Sequence, residues 1–182
     1  MDRTLEAVFE EIGKKPLRAS VITAAALLDT MLEKVISAFL IPEADRLKVF
    51  DHSGCMGTFS AKIEMAYALG LISKELRDDL NLYRKIRNDC AHTVIMDRKT
   101  EADIKSKSGN FNLLRQVFKF EDQDETIIYT ALEFMVIFTC LIKRYNNLTS
   151  MVKFPCEVHD DYLGFTEEDY KCLAQLGDII RK

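Results

Sequence analysis

The sequence predicts an all-α protein, a single-domain helical bundle of about six helices. Its 182 residues are 48% hydrophobic, which is enough apolar material to bury a sizeable core in one compact domain. Only 7 glycines and 3 prolines occur, so helix-breaking residues are nearly absent from the long stretches between turns. Within those stretches the apolar residues recur at the three- and four-residue spacing of an amphipathic helix.

The N-terminal part of the chain is predicted to form two helices. The first covers residues 5–12 and stops at Gly13, a residue type that suits a helix C-terminus. The second covers residues 17–40 and is predicted to be the central helix, because it carries a continuous apolar stripe. Pro42 ends this helix or starts a short one that reaches Phe50. The stripe consists of Val21, Ala25, Leu28, Leu32, Val35, Ile36 and Phe39.

Turn and capping residues define the next two helices. Two glycines make residues 51–57 a loop, and either Thr58 or Ser60 can cap the helix that follows. Gly70 fits the left-handed position that closes this helix. Ser73 is then predicted to cap the helix that carries Arg87.

The second half of the chain is predicted to contain a loop and two further helices. Residues 97–110 are polar, so they are predicted to be a loop with at most one short helical turn. Residues 125–146 are predicted to form a long helix. A last helix starts at Thr166 in the acidic segment 155–182, which is expected to pack on the rest, so that residues 1–182 form one domain. Two aromatic-rich stretches with helical spacing, 111–120 and 129–138, are assigned to the core.

Composition excludes several classes of function. The formal net charge of -4 does not favour nucleic acid binding through the field of the whole molecule. The longest apolar run, residues 24–28, is too short to span a membrane, and no secretory signal opens the chain. The five cysteines are scattered without metal-binding spacing, which predicts reduced thiols, a cytoplasmic location and no metal site. No glycine-rich phosphate loop occurs, and no cofactor is expected.

Arg87 is the strongest functional signal. It is predicted to project into the middle of an apolar stripe, with Asn88 and His92 sharing one flank of that stripe. A guanidinium keeps its charge, so it needs a carboxylate, a bound anion or a second subunit. Structural pairing, a binding surface and RNA cleavage are the three explanations. The predicted stripe consists of Leu76, Leu80, Tyr83, Cys90, Ala91 and Val94.

No helix of the type that reads DNA bases is evident. The most basic region, residues 84–107, is interspersed with acidic residues, so it predicts at most a phosphate contact in which Arg84 takes part. A catalytic pair of Cys90 and His92 is excluded, because side chains two residues apart on a helix do not face each other.

One long stretch resembles the mannitol operon repressor family of bacteria. It runs from Gly57-Thr58-Phe59-Ser60-Ala61-Lys62-Ile63 through Ala68-Leu69-Gly70-Leu71-Ile72, and continues with Asp79-Leu80, Ile86-Arg87-Asn88 and Ala91-His92. The apolar run Ala24-Ala25-Ala26-Leu27-Leu28-Asp29 is similar too, so the likeness covers about residues 17–95. It implies an all-helical fold and a role in transcriptional control through protein partners, without a DNA-reading motif.

A second, shorter resemblance is to HEPN domains, whose signature is an arginine followed by a histidine five to seven residues later. Arg87-Asn88 followed by His92 matches it. The resemblance implies a helical bundle that dimerises and cleaves RNA without metal. His92 would be the general acid or base, Arg87 would steady the phosphate and Asn88 would orient either group. Asp29 or Glu33 is the expected polar partner of Arg87.

These observations lead to a cytoplasmic bacterial regulator that works through a protein partner and forms a homodimer. Sequence-specific DNA binding by the protein alone is not expected, and neither is a membrane association. A ribonuclease or RNA-binding protein of HEPN type is the alternative. A protein that binds a small-molecule effector is a third possibility, since such a pocket leaves no sequence motif.

Overall fold

A computed structural model describes residues 16–40, 48–93, 98–117 and 126–150. These residues form six helices and no strands, which confirms the all-α class. They all belong to the compact unit Met1–Met151. The helices predicted at residues 5–12 and from Thr166, and the packing of segment 155–182, lie outside the described residues. The helices are α1 (Leu17–Phe39), α2 (Phe59–Ala68), α3 (Lys74–His92), α4 (Arg98–Ser108), α5 (Asn112–Val117) and α6 (Thr126–Ser150).

Helices α1, α3 and α6 build the core. The most extensive helix contact joins α1 to α6, while α3 touches all five of the other helices. The apolar stripe predicted for α1 is buried except at Phe39, which is 51% exposed. Helix α6 contributes Phe134, Ile137 and Leu141, which are completely buried. Because α3 lies at the centre, any polar side chain on its inner face must find its partners inside the protein.

The caps and the turn predicted around α2 and α3 are confirmed. The Thr58 hydroxyl accepts a hydrogen bond from the backbone N–H of Ala61 at 3.1 Å and caps α2. The Ser73 hydroxyl accepts one from Leu76 at 3.2 Å and caps α3. Gly70 has a φ of 67°, the left-handed conformation that a side chain disfavours. Local chemistry therefore sets where α2 ends and α3 begins.

The prediction of a loop at residues 97–110 is wrong, because helix α4 occupies Arg98–Ser108. Its composition is polar since one side chain, Ile104, supplies the fully buried apolar contact of this helix. Ser108 is the other buried residue of α4, and a single buried apolar residue gives no hydrophobic periodicity to recognise. The helix is held by its neighbours instead: Lys107 Nζ lies 2.6 Å from the Asp89 carboxylate of α3.

The loop before α2 depends on its second glycine. The Gly57 N–H donates to the Gly54 carbonyl at 3.1 Å, and Met56 donates to Val49 at 2.8 Å. A Cβ added at Gly57 would collide with the backbone carbonyl of Asp51. We therefore expect Gly57→Ala to lower the free energy of unfolding by about 1–3 kcal/mol, as overpacking does. Urea denaturation measures this effect.

The matched control is Ser53→Ala, an exposed position in the same loop. We expect it to change the stability by less than about 0.5 kcal/mol. Equal midpoints for the two variants would contradict the steric account of this loop.

Among the helices described, none is both long enough and apolar enough to cross a lipid bilayer.

Candidate functional site

Arg87 does not lie in the middle of the buried face of α3, which corrects the sequence-based expectation. The buried positions in the second half of the helix are Tyr83, Ile86 and Cys90. Since these follow three- and four-residue steps, Arg87 comes one residue after the buried Ile86 and is half-buried at the edge of the stripe. Ala91, which was expected to be apolar core, is exposed. At this edge the guanidinium can reach water, so a buried counter-ion is not required.

Asp29 and Glu33 pair with Lys62 rather than with Arg87. The Lys62 ammonium lies 2.6 Å from Glu33 Oε2 and 3.1 Å from Asp29 Oδ1, and 5.9 Å from the centre of the Phe50 ring. In the described part of the chain, neither carboxylate contacts Arg87. The Lys62 side chain is only 5% exposed, so this cation, and not Arg87, is the buried one on the α1 side of the bundle.

The charge of Lys62 is held by its partners. Burial alone would lower its pKa, but hydrogen bonds to Glu33 and Asp29 and the charges of both carboxylates raise it above its ordinary value. A raised lysine pKa means that Lys62 keeps its proton at pH values below 10.5 and loses it only as the pH rises beyond that value. The charge of Lys62 therefore does not change with pH near neutrality.

We expect Lys62→Met to lower the free energy of unfolding by about 1–3 kcal/mol. Methionine keeps most of the buried stem but leaves two carboxylates without their cation. The loss is limited because those carboxylates are 35% and 39% exposed and can be hydrated. Urea denaturation at pH 7 is the measurement. Lys34→Met, at an exposed position of α1, is the control, and a loss of the same size there would contradict the assigned ion pairs.

The other residues of the HEPN-like signature lie near the end of α3. His92 is exposed in the last turn, and Asn88 is half-buried one turn before it. Arg87 and His92 are five residues apart, so they point about 140° apart around the helix. Burial raises the pKa of the neighbouring Cys90 thiol, with the Asp89 charge adding to the effect, so this thiol is not an activated nucleophile. Catalytic roles for Arg87, Asn88 and His92 stay a prediction.

A carboxylate on the buried face of α3 anchors helix α5. Asp79 is completely buried, and its Oδ1 accepts the Asn112 backbone N–H at 2.8 Å and the Asn112 side-chain amide at 2.9 Å. Its Oδ2 accepts the Leu113 N–H at 2.7 Å. These N–H groups belong to the first turn of α5, where no helical carbonyl can accept them. Since a six-residue helix is not stable alone, Asp79 is a main reason why α5 forms.

A second buried carboxyl group, that of Glu133, also holds the start of α5, and the pair of Asp79 and Glu133 is hereafter the clamp. Glu133 of α6 is completely buried, and its Oε2 accepts the Leu114 N–H at 3.1 Å. Burial, the charge of Asp79 and a hydrogen bond to Asp79 raise the pKa of Glu133 to about 9, although the Leu114 N–H acts in the opposite direction. At neutral pH Glu133 is therefore protonated. The remaining oxygen, Oε1, has no donor within the described residues, so a proton on this atom can be donated to Asp79.

Sequence reasoning missed this clamp, although each member leaves a signal. Asp79 interrupts the apolar stripe of α3 between Leu76 and Leu80. Glu133 is the single charged residue between Thr126 and Ile142 of α6. Lys62 likewise adjoins Ile63 on the buried face of α2. A charged residue at a core position predicts a buried polar contact, but its partner lies on another helix and cannot be read from spacing.

The clamp borders a surface groove of about 470 Å³ between α3 and α5, hereafter the α3–α5 groove. Arg84, a predicted binding residue, lines it, and Arg87 and His92 do not. The lining residues are Arg77, Asp78, Asp79, Asn81, Leu82, Arg84 and Lys85 of α3 and Asn112 of α5. The sequence predicts the site around Arg87, one turn further along the same helix.

Most charges in the α3–α5 groove already have partners. Arg77 lies 2.6 Å from Glu64 and 3.6 Å from Asp78, and its guanidinium stacks 4.9 Å from the centre of the Tyr67 ring. The Glu64 hydrogen bond to Arg77, followed by that from Asn81, lowers the pKa of Glu64, as expected for a paired carboxylate.

Arg84 and Lys85 have no such pairing. In the part of the chain that the structure describes, neither forms an ion pair, and the Arg84 Nε donates to the Asn81 side chain over a long 3.4 Å. Lys85 is exposed and Arg84 half-buried. The groove therefore presents two cations that form no ion pair among the described residues, although the charge of Arg84 helps to lower the pKa of Glu64.

Within the described ranges, no cluster of three or more histidine, cysteine, aspartate or glutamate side chains is placed to hold a metal ion.

No family model matches the sequence, and no similar curated protein is found. Among solved structures, a chain in the X-ray structure of the MtlR–HPr complex from Escherichia coli is similar, with a TM-score of 0.50 and 16% sequence identity. The match covers 79% of this chain and 97% of that chain. At this identity the likeness establishes a shared fold and nothing more.

Proposed function

We propose that the protein is a regulator that acts by binding a protein partner. The observation that carries this proposal is the fold shared with a chain of the MtlR–HPr complex, which extends over 97% of that chain. The solved structure is a complex of two proteins, MtlR and HPr, which supports a role in binding a protein partner. The resemblance of residues 17–95 to mannitol operon repressors supports the same reading from the sequence.

In its finer form, the proposal is transcriptional control in the bacterial cytoplasm without direct reading of DNA. The absence of a basic recognition helix and the net charge of -4 support an indirect role. A homodimer stays part of the proposal. Light scattering at micromolar concentration tests it, and a strictly monomeric protein would remove that part alone.

The experiment is an interaction measurement in two stages. Cross-linking in the host cell, followed by affinity purification, should recover a specific protein partner, and HPr from the same host is the first candidate because the similar structure contains it. Titration calorimetry of the two pure proteins should then give a saturable, stoichiometric complex. Mobility-shift assays with DNA from the neighbouring promoters should show no sequence-specific binding by the pure protein.

Two results would overturn the proposal. The first is the absence of a specific partner together with tight, sequence-specific DNA binding. The second is hydrolysis of labelled RNA that the wild type performs and the His92→Ala variant does not, which would favour the HEPN-type ribonuclease instead.

A further inference from the structure

The α3–α5 groove carries a small excess of positive charge. Two carboxylates and three cations line it. Asp79 is saturated by the N–H groups of α5, and Asp78 lies beside Arg77, which also holds Glu64. The two remaining cations, Arg84 and Lys85, are adjacent in sequence and form no ion pair among the described residues, although the charge of Arg84 also acts on Glu64. An acidic protein of net charge -4 thus keeps a local cationic site.

We propose that the α3–α5 groove binds an acidic segment of a protein partner. Arg84 would pair with a carboxylate of that segment through its planar fork of N–H donors, and Lys85 would hold a second one at the exposed rim. The inference rests on the proposed function, because it takes the partner to be a protein.

The groove also has an apolar contact point. Leu82 lies on its wall, is half-buried and packs against the core from the side. Asn81 and Asn112 also line the groove. Their side-chain amides already donate to Glu64 and Asp79, and the Asn112 side-chain oxygen can accept a hydrogen bond from a peptide N–H. An acidic segment that also carries a leucine or similar side chain fits this combination better than a small anion does.

A protein segment suits the groove better than RNA. Nucleic acid binding draws its affinity from many phosphate contacts, whereas the unpaired cations here number two. Bases would also need aromatic platforms to stack on, and no aromatic side chain lines the groove among the described residues. A short stretch of acidic and apolar side chains needs only the contacts that are present.

The test uses fluorescence anisotropy with two labelled twelve-residue peptides. One carries six glutamates interspersed with leucine and alanine, and the other has lysine in place of each glutamate. We expect the full-length protein to bind the acidic peptide saturably and more weakly at high salt, and not to bind the basic one. Arg84→Glu and Lys85→Glu should each lower the affinity for the acidic peptide at least tenfold.

Lys34→Glu is the matched control, since it makes the same charge change at an exposed position of α1 that does not line the groove. It should alter the affinity less than twofold. Thermal unfolding of each variant shows whether it is folded, and Arg84→Gln gives a second, milder loss of charge. NMR shifts induced by the acidic peptide should include Leu82 and Asn112.

Three outcomes would overturn the inference: no saturable binding of the acidic peptide, equal weakening by Arg84→Glu and Lys34→Glu, or tighter binding of a labelled RNA through Arg84. If a cellular partner binds the Arg84→Glu variant as tightly as the wild type, the groove is not the binding site, but the proposed function still holds. If the protein binds the acidic peptide but no cellular partner is found, the groove is confirmed as a binding site and the proposed function fails.

Discussion

Replacing Asp79 with alanine is expected to lower the free energy of unfolding by about 3–5 kcal/mol. The variant loses two hydrogen bonds from the backbone of α5 and one from the Asn112 side chain, all accepted by a fully buried carboxylate. The N–H groups of Asn112 and Leu113 would then be left without their acceptor. Chemical denaturation measures the loss, and amide hydrogen exchange should show that α5 opens more readily than α3.

Asp78→Ala is the control for this prediction, because it removes the same charge at the adjacent position of the same helix. Asp78 is half-buried and its recorded ion pair, with Arg77, spans 3.6 Å. A pair of this kind contributes at most about 1 kcal/mol. Similar losses for the two variants would show that the clamp on α5 does not stabilise the protein.

Glu133→Gln is expected to make the protein less sensitive to alkaline pH. The pKa of Glu133 is raised from 4.5 to about 9 in the folded protein by burial and by Asp79. Between these values the folded state keeps a proton that the unfolded state has released. Stability therefore falls as the pH rises, by about 1.4 kcal/mol per pH unit for one group, and the loss levels off above the folded pKa.

Glutamine imitates the protonated carboxyl group. Its amide can donate to Asp79 while its carbonyl oxygen accepts the Leu114 N–H, and it does not titrate. The free energy of unfolding, measured by urea denaturation from pH 6 to 9, should fall more steeply for the wild type than for the variant. Glu101→Gln on the exposed face of α4 removes the same formal charge and should keep the wild-type slope. Parallel slopes for wild type and Glu133→Gln would show that Glu133 carries no proton at neutral pH.

The parts of the fold that could be predicted are those specified by local sequence. Helices α1 and α3 each have a long amphipathic pattern, and the boundaries of α2 and α3 follow from Thr58, Gly70 and Ser73. In these places the side chain that determines the structure is within four residues of the backbone it acts on. Periodicity and capping rules therefore suffice.

Helix α4 and the start of α5 could not be predicted in the same way, although the stretch 111–120 that contains α5 has helical spacing. Their formation depends on contacts from distant positions: Asp89 holds Lys107 of α4, while Asp79 and Glu133 hold the start of α5. A short helix that is stabilised by carboxylates on other helices has no local signature. Tertiary contacts override weak local propensity in such segments.

The candidate site shows the same limit. The sequence points to α3 and includes Arg84, which lines the groove, among the candidate binding residues, but it attributes the strongest signal to Arg87. On an ideal helix, Arg87 falls near the predicted apolar stripe. In the structure, the buried residues in the second half of α3 lie on the side of Ile86 instead. The pairing of Asp29 and Glu33 with Lys62 is likewise decided by how α1 and α2 pack, which spacing along one helix does not reveal.

The protein is proposed to act through a partner that it binds in the α3–α5 groove, and not through the pair of Arg87 and His92. The most direct measurement is calorimetric titration of the cellular partner into wild-type protein, Arg84→Glu and His92→Ala. We expect Arg84→Glu to weaken the complex at least tenfold, and His92→Ala to leave its affinity within twofold of the wild type. The reverse order of effects, with His92→Ala abolishing binding and Arg84→Glu tolerated, would contradict this assignment of the site.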